Sequence, residues 1–189
     1  MRYSANHKME TREKLLASSA VSAKKAGFST VGVDGLMKAI GLSGGAFYSH
    51  FSSKDELFKA IVERELTQSL ERLSGDDVLD SARLERCLKQ YLSMSHVERP
   101  EAGCALPVLG AEIARSDVQV REVAQTWICR LHESWARILE SDSLAWAILS
   151  QCVGALVVAR MLVTPQIQRN VLESSQEEIN RRMAEQRVD

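Results

Sequence analysis

Apolar residues recur at helical spacing along nearly the whole chain, and few residues interrupt them. Leu16, Ala20 and Ala23 stand at i, i+4 and i+7, with Gly27 behind them as a stop; Val33, Leu36, Met37 and Ile40 repeat the stripe over a shorter span. Only 3 Pro and 10 Gly occur in 189 residues, and aromatics are 5%. A barrel or sandwich needs turn residues every few positions and more β-formers, so those folds are excluded. The pattern predicts an all-α protein of about nine helices, near 11–26, 33–40, 43–50, 53–73, 80–95, 105–114, 117–140, 143–163 and 166–186. Ser43 and the capping box Ser53-Lys54-Asp55-Glu56 open the third and fourth helices, and Thr164-Pro165 opens the last. Ser74-Gly75-Asp76-Asp77 breaks the pattern and suggests a boundary: residues 1–55, linked by a helix to about 73, and residues 74–189.

Charge divides at nearly the same place. Residues 1–60 hold nine Lys/Arg against five Asp/Glu, a net +4; the rest of the chain carries −5, and the two nearly cancel in the overall −1. A basic head on an acidic body suits a polyanion partner at one end only.

The most informative stretch runs from Val33 to Phe51, VDGLMKAIGLSGGAFYSHF. Two short amphipathic segments meet at Ile40-Gly41-Leu42-Ser43, with Gly41 available for a positive φ and Met37, Ile40, Leu42 and Phe47 as apolar anchors. That is the requirement of a helix-turn-helix. Phe47 and Phe51 point inward, leaving Ser43, Gly44, Gly45, Tyr48, Ser49 and His50 outward, small polar groups suited to the close quarters of a major groove. The same spacing also serves an ordinary corner in a helical enzyme. No Ser-His-Asp set, HExxH run or phosphate loop accompanies it, so no catalytic residue is assigned.

Residues 10–65, and above all Gly45-x-Phe47-Tyr48-x-His50-Phe51 followed by Ser53-Lys54-Asp55-Glu56-Leu57, resemble the DNA-binding region of the tetracycline-repressor (TetR) family of bacterial transcriptional regulators. The resemblance implies that Tyr48 and Lys54 contact phosphates, with His50, Ser43 and, on the outer face of the second helix, Lys38 as further backbone contacts. It also implies a homodimer on a palindromic double-stranded operator, a small-molecule effector bound by the C-terminal part, no cofactor, and a cytoplasmic location. Two positions depart from the family habit: Gly44 stands where a long polar residue is common, and Gly32 where Thr or Ser is. Paired glycines cost about 1 kcal/mol each in a helix. Either the backbone approaches the DNA unusually closely here, or base reading moves to Ser43, Ser49 and an N-terminal arm of Arg2, His7, Lys8 and Arg12.

The acidic body offers His96, Cys104, Trp127, His132 and Trp146 as effector contacts, each of which also suits a core. Cys104, expected at a helix start, is the candidate for a second mode of control through an electrophile- or oxidant-sensitive thiol; a small buried apolar residue is the plainer reading. The four cysteines have neither zinc-ligand spacing nor a disulfide pattern, so no metal is expected. The apolar run 144–163 approaches membrane-spanning length, but Ser150, Gln151, Gly154 and Arg160 interrupt it, and a buried or dimer-forming helix is expected rather than a membrane partner. No leader with an apolar core is read at the N-terminus.

Overall fold

The computed structural model describes residues 5–74 and 80–186. Those residues form nine α-helices and two short 3-10 segments, with no strand among them: α1 Ala5–Ala26, α2 Val33–Lys38, the 3-10 segment Gly44–Ser49, α3 Lys54–Ser74, α4 Ser81–Tyr91, α5 Met94–Glu98, the 3-10 segment Pro100–Ala102, α6 Leu106–Arg115, α7 Val118–Leu139, α8 Asp142–Met161 and α9 Pro165–Gln186. The all-helical fold is as the periodicity implied. Residues 75–77 of the expected break lie outside the described residues.

Two expected boundaries are corrected. The first helix begins at Ala5 rather than near 11, because nothing in Asn6-His7-Lys8-Met9-Glu10 opposes a helix and Thr11 Oγ1 bonds the His7 carbonyl at 2.8 Å. The proposed arm is therefore helix at His7, Lys8 and Arg12, while Arg2 lies outside the described residues. The expected helix near 80–95 is two helices. Leu92 leaves helical geometry at ψ 58, and the Tyr91 carbonyl, freed at the end of α4, is bonded by His96 Nδ1 at 2.8 Å. A side chain five residues on thus closes one helix and opens the next.

Caps set the other ends. Asp80, Asp117 and Ser141 each accept a backbone N–H three residues ahead, at the starts of α4, α7 and α8. Glu140, left-handed at φ 51, ends α7 and turns the chain directly into α8.

Two apolar clusters hold the helices. One gathers Leu15, Leu36, Met37, Phe47, Phe51, Leu57 and Ile61 from the first 66 residues, together with Ala105, Leu109, Ile113, Val120 and Ala124 of α6 and α7. The other joins α4, α7, α8 and α9 around Leu84, Leu88, Trp135, Ile148 and Leu156. The basic head is therefore seated on the body by shared apolar packing, and α3, about 31 Å long at 1.5 Å per residue, runs from one cluster to the other.

Among the described residues α8 alone is long and apolar enough to cross a membrane. Its inner row, Ala145, Ile148, Leu149, Cys152, Ala155, Leu156 and Ala159, is packed into the second cluster. Trp146, Val157, Val158 and Met161 face outward, and a Cβ placed on Gly154 would meet nothing within 4 Å.

Candidate nucleic-acid interface

Leu36 and Met37 anchor α2, and Gly41 at φ +75 turns the chain so that Leu42 N–H donates to Met37 O at 3.0 Å. A side chain at Gly41 would be strained there. The segment that follows is 3-10 rather than α. Phe47 and Phe51 are fully buried, with ring centroids 6.0 Å apart, and Phe47 meets Tyr48 edge-on at 5.4 Å. The paired glycines explain the tight winding: a Cβ at Gly44 would overlap the Asp34 carboxylate of α2. Gly44 thus lets the two segments close on each other, and a longer residue there would require Asp34 to swing away.

The outward set is placed as the spacing predicted. Ser43, Gly45, Tyr48, Ser49 and Lys38 are exposed, Tyr48 at 69%, while Gly44 and His50 are half-buried. Ser43 stands in the N-cap position, but its side chain makes no capping bond, and Ser49 Oγ bonds back to Ala46 O at 2.7 Å. Glu56 N–H donates to Ser53 Oγ at 3.0 Å, and the Glu56 carboxylate reaches one residue past a simple capping box, to Ser52 N–H and Oγ, both 2.6 Å.

Cations flank this face. Lys54 Nζ lies 4.8 Å over the Phe28 ring and donates to Ser29 O at 3.2 Å, so its charge is held at the α1–α2 loop. Arg12 sits 4.3 Å over Phe51. Burial first, then Lys8 and Arg12, lowers the His50 pKa, and its Nδ1 is buried with no partner among the described residues. Arg12 and Lys8 therefore edge the reading segment from the helix that sequence reasoning had assigned to an arm. Only their i, i+4 spacing hinted at it.

The head is wired to the body by polar contacts invisible in the sequence. Lys24 and Glu65 form an ion pair at 2.5 Å with both side chains 5% exposed, and Lys24 Nζ also donates to Gly103 O at 3.3 Å. Glu112 of α6 accepts from Phe28 N–H and Ser29 N–H, each at 2.9 Å.

The expected effector residues separate. His96 and Cys104 line a cavity of about 450 Å³ between α3, α4, α5 and residues 102–104. His96 Nε2 accepts from the Cys104 amide at 3.0 Å, which leaves the ring proton on Nδ1 for Tyr91 O. Burial lowers the His96 pKa and favours this neutral ring. The Cys104 thiol is buried two residues before α6 begins, beside the Tyr91 hydroxyl, whose pKa burial raises well above the usual value. Burial also pushes the nearby Cys152 thiol up to about 12.

Trp146 instead lines a separate hollow of about 340 Å³ with Cys129 and Ile128. His132 stacks on Trp146 at 4.0 Å and bonds Asp142 O at 3.0 Å. Trp127 lies apart, half-buried beside Arg130 at 4.7 Å. The five residues therefore do not form one site. What the sequence missed in the first cavity are Arg72, Arg99 and Tyr91, which carry no local motif. Among the described residues no group of His, Cys, Asp and Glu is arranged to hold a metal.

Residues 15–61 match the family model of the bacterial regulatory proteins, tetR family. No curated protein matches the chain in sequence. Solved structures share its fold over most of its length. E. coli NemR in its reduced form has a TM-score of 0.75 at 21% identity over 90% of this chain and 95% of that one. A TetR transcriptional regulator from Legionella pneumophila has 0.72 at 20% identity, covering 96% and 98%. A transcriptional regulator from Saccharomonospora viridis in complex with choline has 0.72 at 15% identity, covering 91% and 94%. Residues 15–61 thus carry the helix-turn-helix region of the tetR family of bacterial regulatory proteins, within an all-helical fold shared with these solved structures.

Proposed function

We propose that the protein is a cytoplasmic, homodimeric repressor that leaves its palindromic operator when a small molecule occupies the C-terminal body. The observation that carries this reading is the junction at Gly103. Its carbonyl accepts from Lys24, the partner of Glu65 in the head, while the same residue lines the 450 Å³ cavity. An occupant that displaces residues 102–104 therefore acts on α1 and α3 directly. A solved neighbour of the same fold holds choline, which supports a small-molecule role for such a body.

On the DNA side, Tyr48 and Lys54 bind phosphates in this reading, with His50, Ser43 and Lys38 beside them, and Gly44, Gly45 and Ser49 let the backbone approach the base edges. Residues 1–55 read DNA, α3 links, and residues 74–189 bind effector and dimerise. Two half-sites about one helical turn apart require a two-fold pair of heads. The outward row Trp146, Val157, Val158 and Met161 of α8, beside α9, is the apolar surface suited to that pairing. A mobility shift with a fragment from the gene's own upstream region tests the reading. Binding that weakens steeply with salt supports it, and no specific binding at moderate salt overturns it.

A second reading rests on Cys104, whose thiol borders the cavity and meets Tyr91. Its addition across the double bond of a maleimide, with the thiol proton passing to the adjacent carbon, would place a bulky group against residues 102–104. The solved NemR structure is of its reduced form, which supports a redox link in this fold. N-ethylmaleimide should release DNA from the native protein and leave Cys104→Ser bound; equal release from both removes this reading.

A further inference from the structure

The 450 Å³ cavity is the most cationic of the hollows formed by the described residues, with two arginines in its lining against one in the hollow beside Trp146. Arg72 and Arg99 stand at its mouth with His96 in its wall, and no carboxylate lines it among the described residues. Behind the wall, Arg160 of α8 uses Nη2 to bond His96 O at 2.6 Å. Its Nε and Nη1 are buried with no partner among the described residues. By contrast Lys24, a buried cation nearby, is neutralised by Glu65. Two arginines thus line the space and two further cations stand behind it, of which Lys24 is paired with a carboxylate.

Resting on the repressor reading, we infer that this cavity binds a small organic anion of the monocarboxylate class, with Arg72 and Arg99 as its charge-recognising residues. A positive field without a lining carboxylate favours an anion in the cavity and opposes a cation. The planar fork of arginine matches a carboxylate with two parallel N–H···O bonds. Arg72 spends Nε on Gln68 O and Nη1 on Ala102 O, both 3.1 Å, and Arg99 spends Nη2 on Ser95 Oγ, so each keeps donors for a ligand. The positive field also acts on His96: after burial, Arg160, Arg72 and Lys24 lower its pKa in that order. Leu73 and the Tyr91 ring supply an apolar wall for the rest of the molecule, and the volume falls in the range of about 300–1,000 Å³ usual for small-molecule sites. Binding also has an outlet to the head. When Arg72 turns to the ligand it releases Ala102 O, one residue from the carbonyl that holds Lys24.

The test is calorimetry on the full chain with three probes that share a phenyl ring and differ in charge: benzoate, benzyl alcohol and benzylammonium. Benzoate should bind at least about tenfold more tightly than the alcohol, a difference of roughly 1.4 kcal/mol, with no heat from the ammonium probe. The Arg72→Gln/Arg99→Gln variant should lose that preference while melting at the native temperature, since both side chains are exposed. Equal or tighter binding of the neutral or cationic probe overturns the inference. So does benzoate binding unchanged in the variant, or no benzoate binding at millimolar concentration. Because these titrations contain no DNA, their failure leaves the repressor reading standing; failure of the mobility shift without any probe removes that reading and leaves the anion site to the calorimetry.

Discussion

The reading segment takes its anchors, Phe47 and Phe51, and its outward face from one short run of chain, whereas the cavity draws Arg72 from α3, Tyr91 from α4, His96 from α5 and Cys104 from the loop before α6. The first is held by apolar side chains whose spacing is set locally. The second is held by hydrogen bonds between residues far apart in sequence, such as Lys24 to Gly103. A local unit tolerates change in the body; a distributed one should register small changes anywhere around it. That difference can be broken experimentally, beginning with the anchors.

Phe47→Ala empties a fully buried ring site in the head and should cost about 3–5 kcal/mol, seen as a fall in melting temperature together with loss of DNA binding. If benzoate affinity fell equally, the two regions would be one cooperative unit. Glu65→Leu leaves Lys24 buried without its counter-charge and should cost about 3–5 kcal/mol, most of which the double variant Lys24→Met/Glu65→Leu should recover. The informative readout there is effector response: the double variant should bind DNA but release it poorly, since the link to Gly103 is gone.

The third prediction concerns pH. The His96 pKa lies below its ordinary value in the folded state, so the unfolded chain binds the proton more readily. Stability should be fully present above about pH 6.5 and fall as pH drops through the folded value, and His96→Gln should flatten that slope in thermal melts. Tyr48→Phe should weaken operator binding about tenfold with little change in stability, as expected for loss of one hydrogen bond to a charged phosphate from an exposed residue. The smallest effect belongs to Gly45→Ala. Its new Cβ would meet nothing within 4 Å, so stability should rise by roughly 0.5–1 kcal/mol, while operator binding falls if the backbone must approach the bases. Unchanged binding would assign the paired glycines to the contact of Gly44 with Asp34 alone.

Much of the fold was legible because helical periodicity and caps are local signals. Gly41, Ser53 with Glu56, and Pro165 sit where their chemistry suggested. The errors were also local in appearance and distant in cause. The break at Leu92 depends on His96 reaching back to the Tyr91 carbonyl, and no propensity encodes that bond. The Lys54 ammonium rests on Phe28 and Ser29 of the preceding loop, a placement that no local signal encodes. His132 and Trp146 were grouped with His96 because residue type cannot distinguish two hollows on one body.

By itself the sequence determined an all-helical chain, a basic head on an acidic body, and a helix-turn-helix with Phe47 and Phe51 inward, because each follows from periods of three and four residues and from charge counted along the chain. Only the tertiary structure decided that Arg72 and Arg99 line one space, with Arg160 behind its wall and no carboxylate among the described residues lining it, and that Gly103 joins this space to Lys24 and Glu65. Contacts of that kind depend on how helices pack across dozens of residues, and a counter-charge is missing or present only in three dimensions.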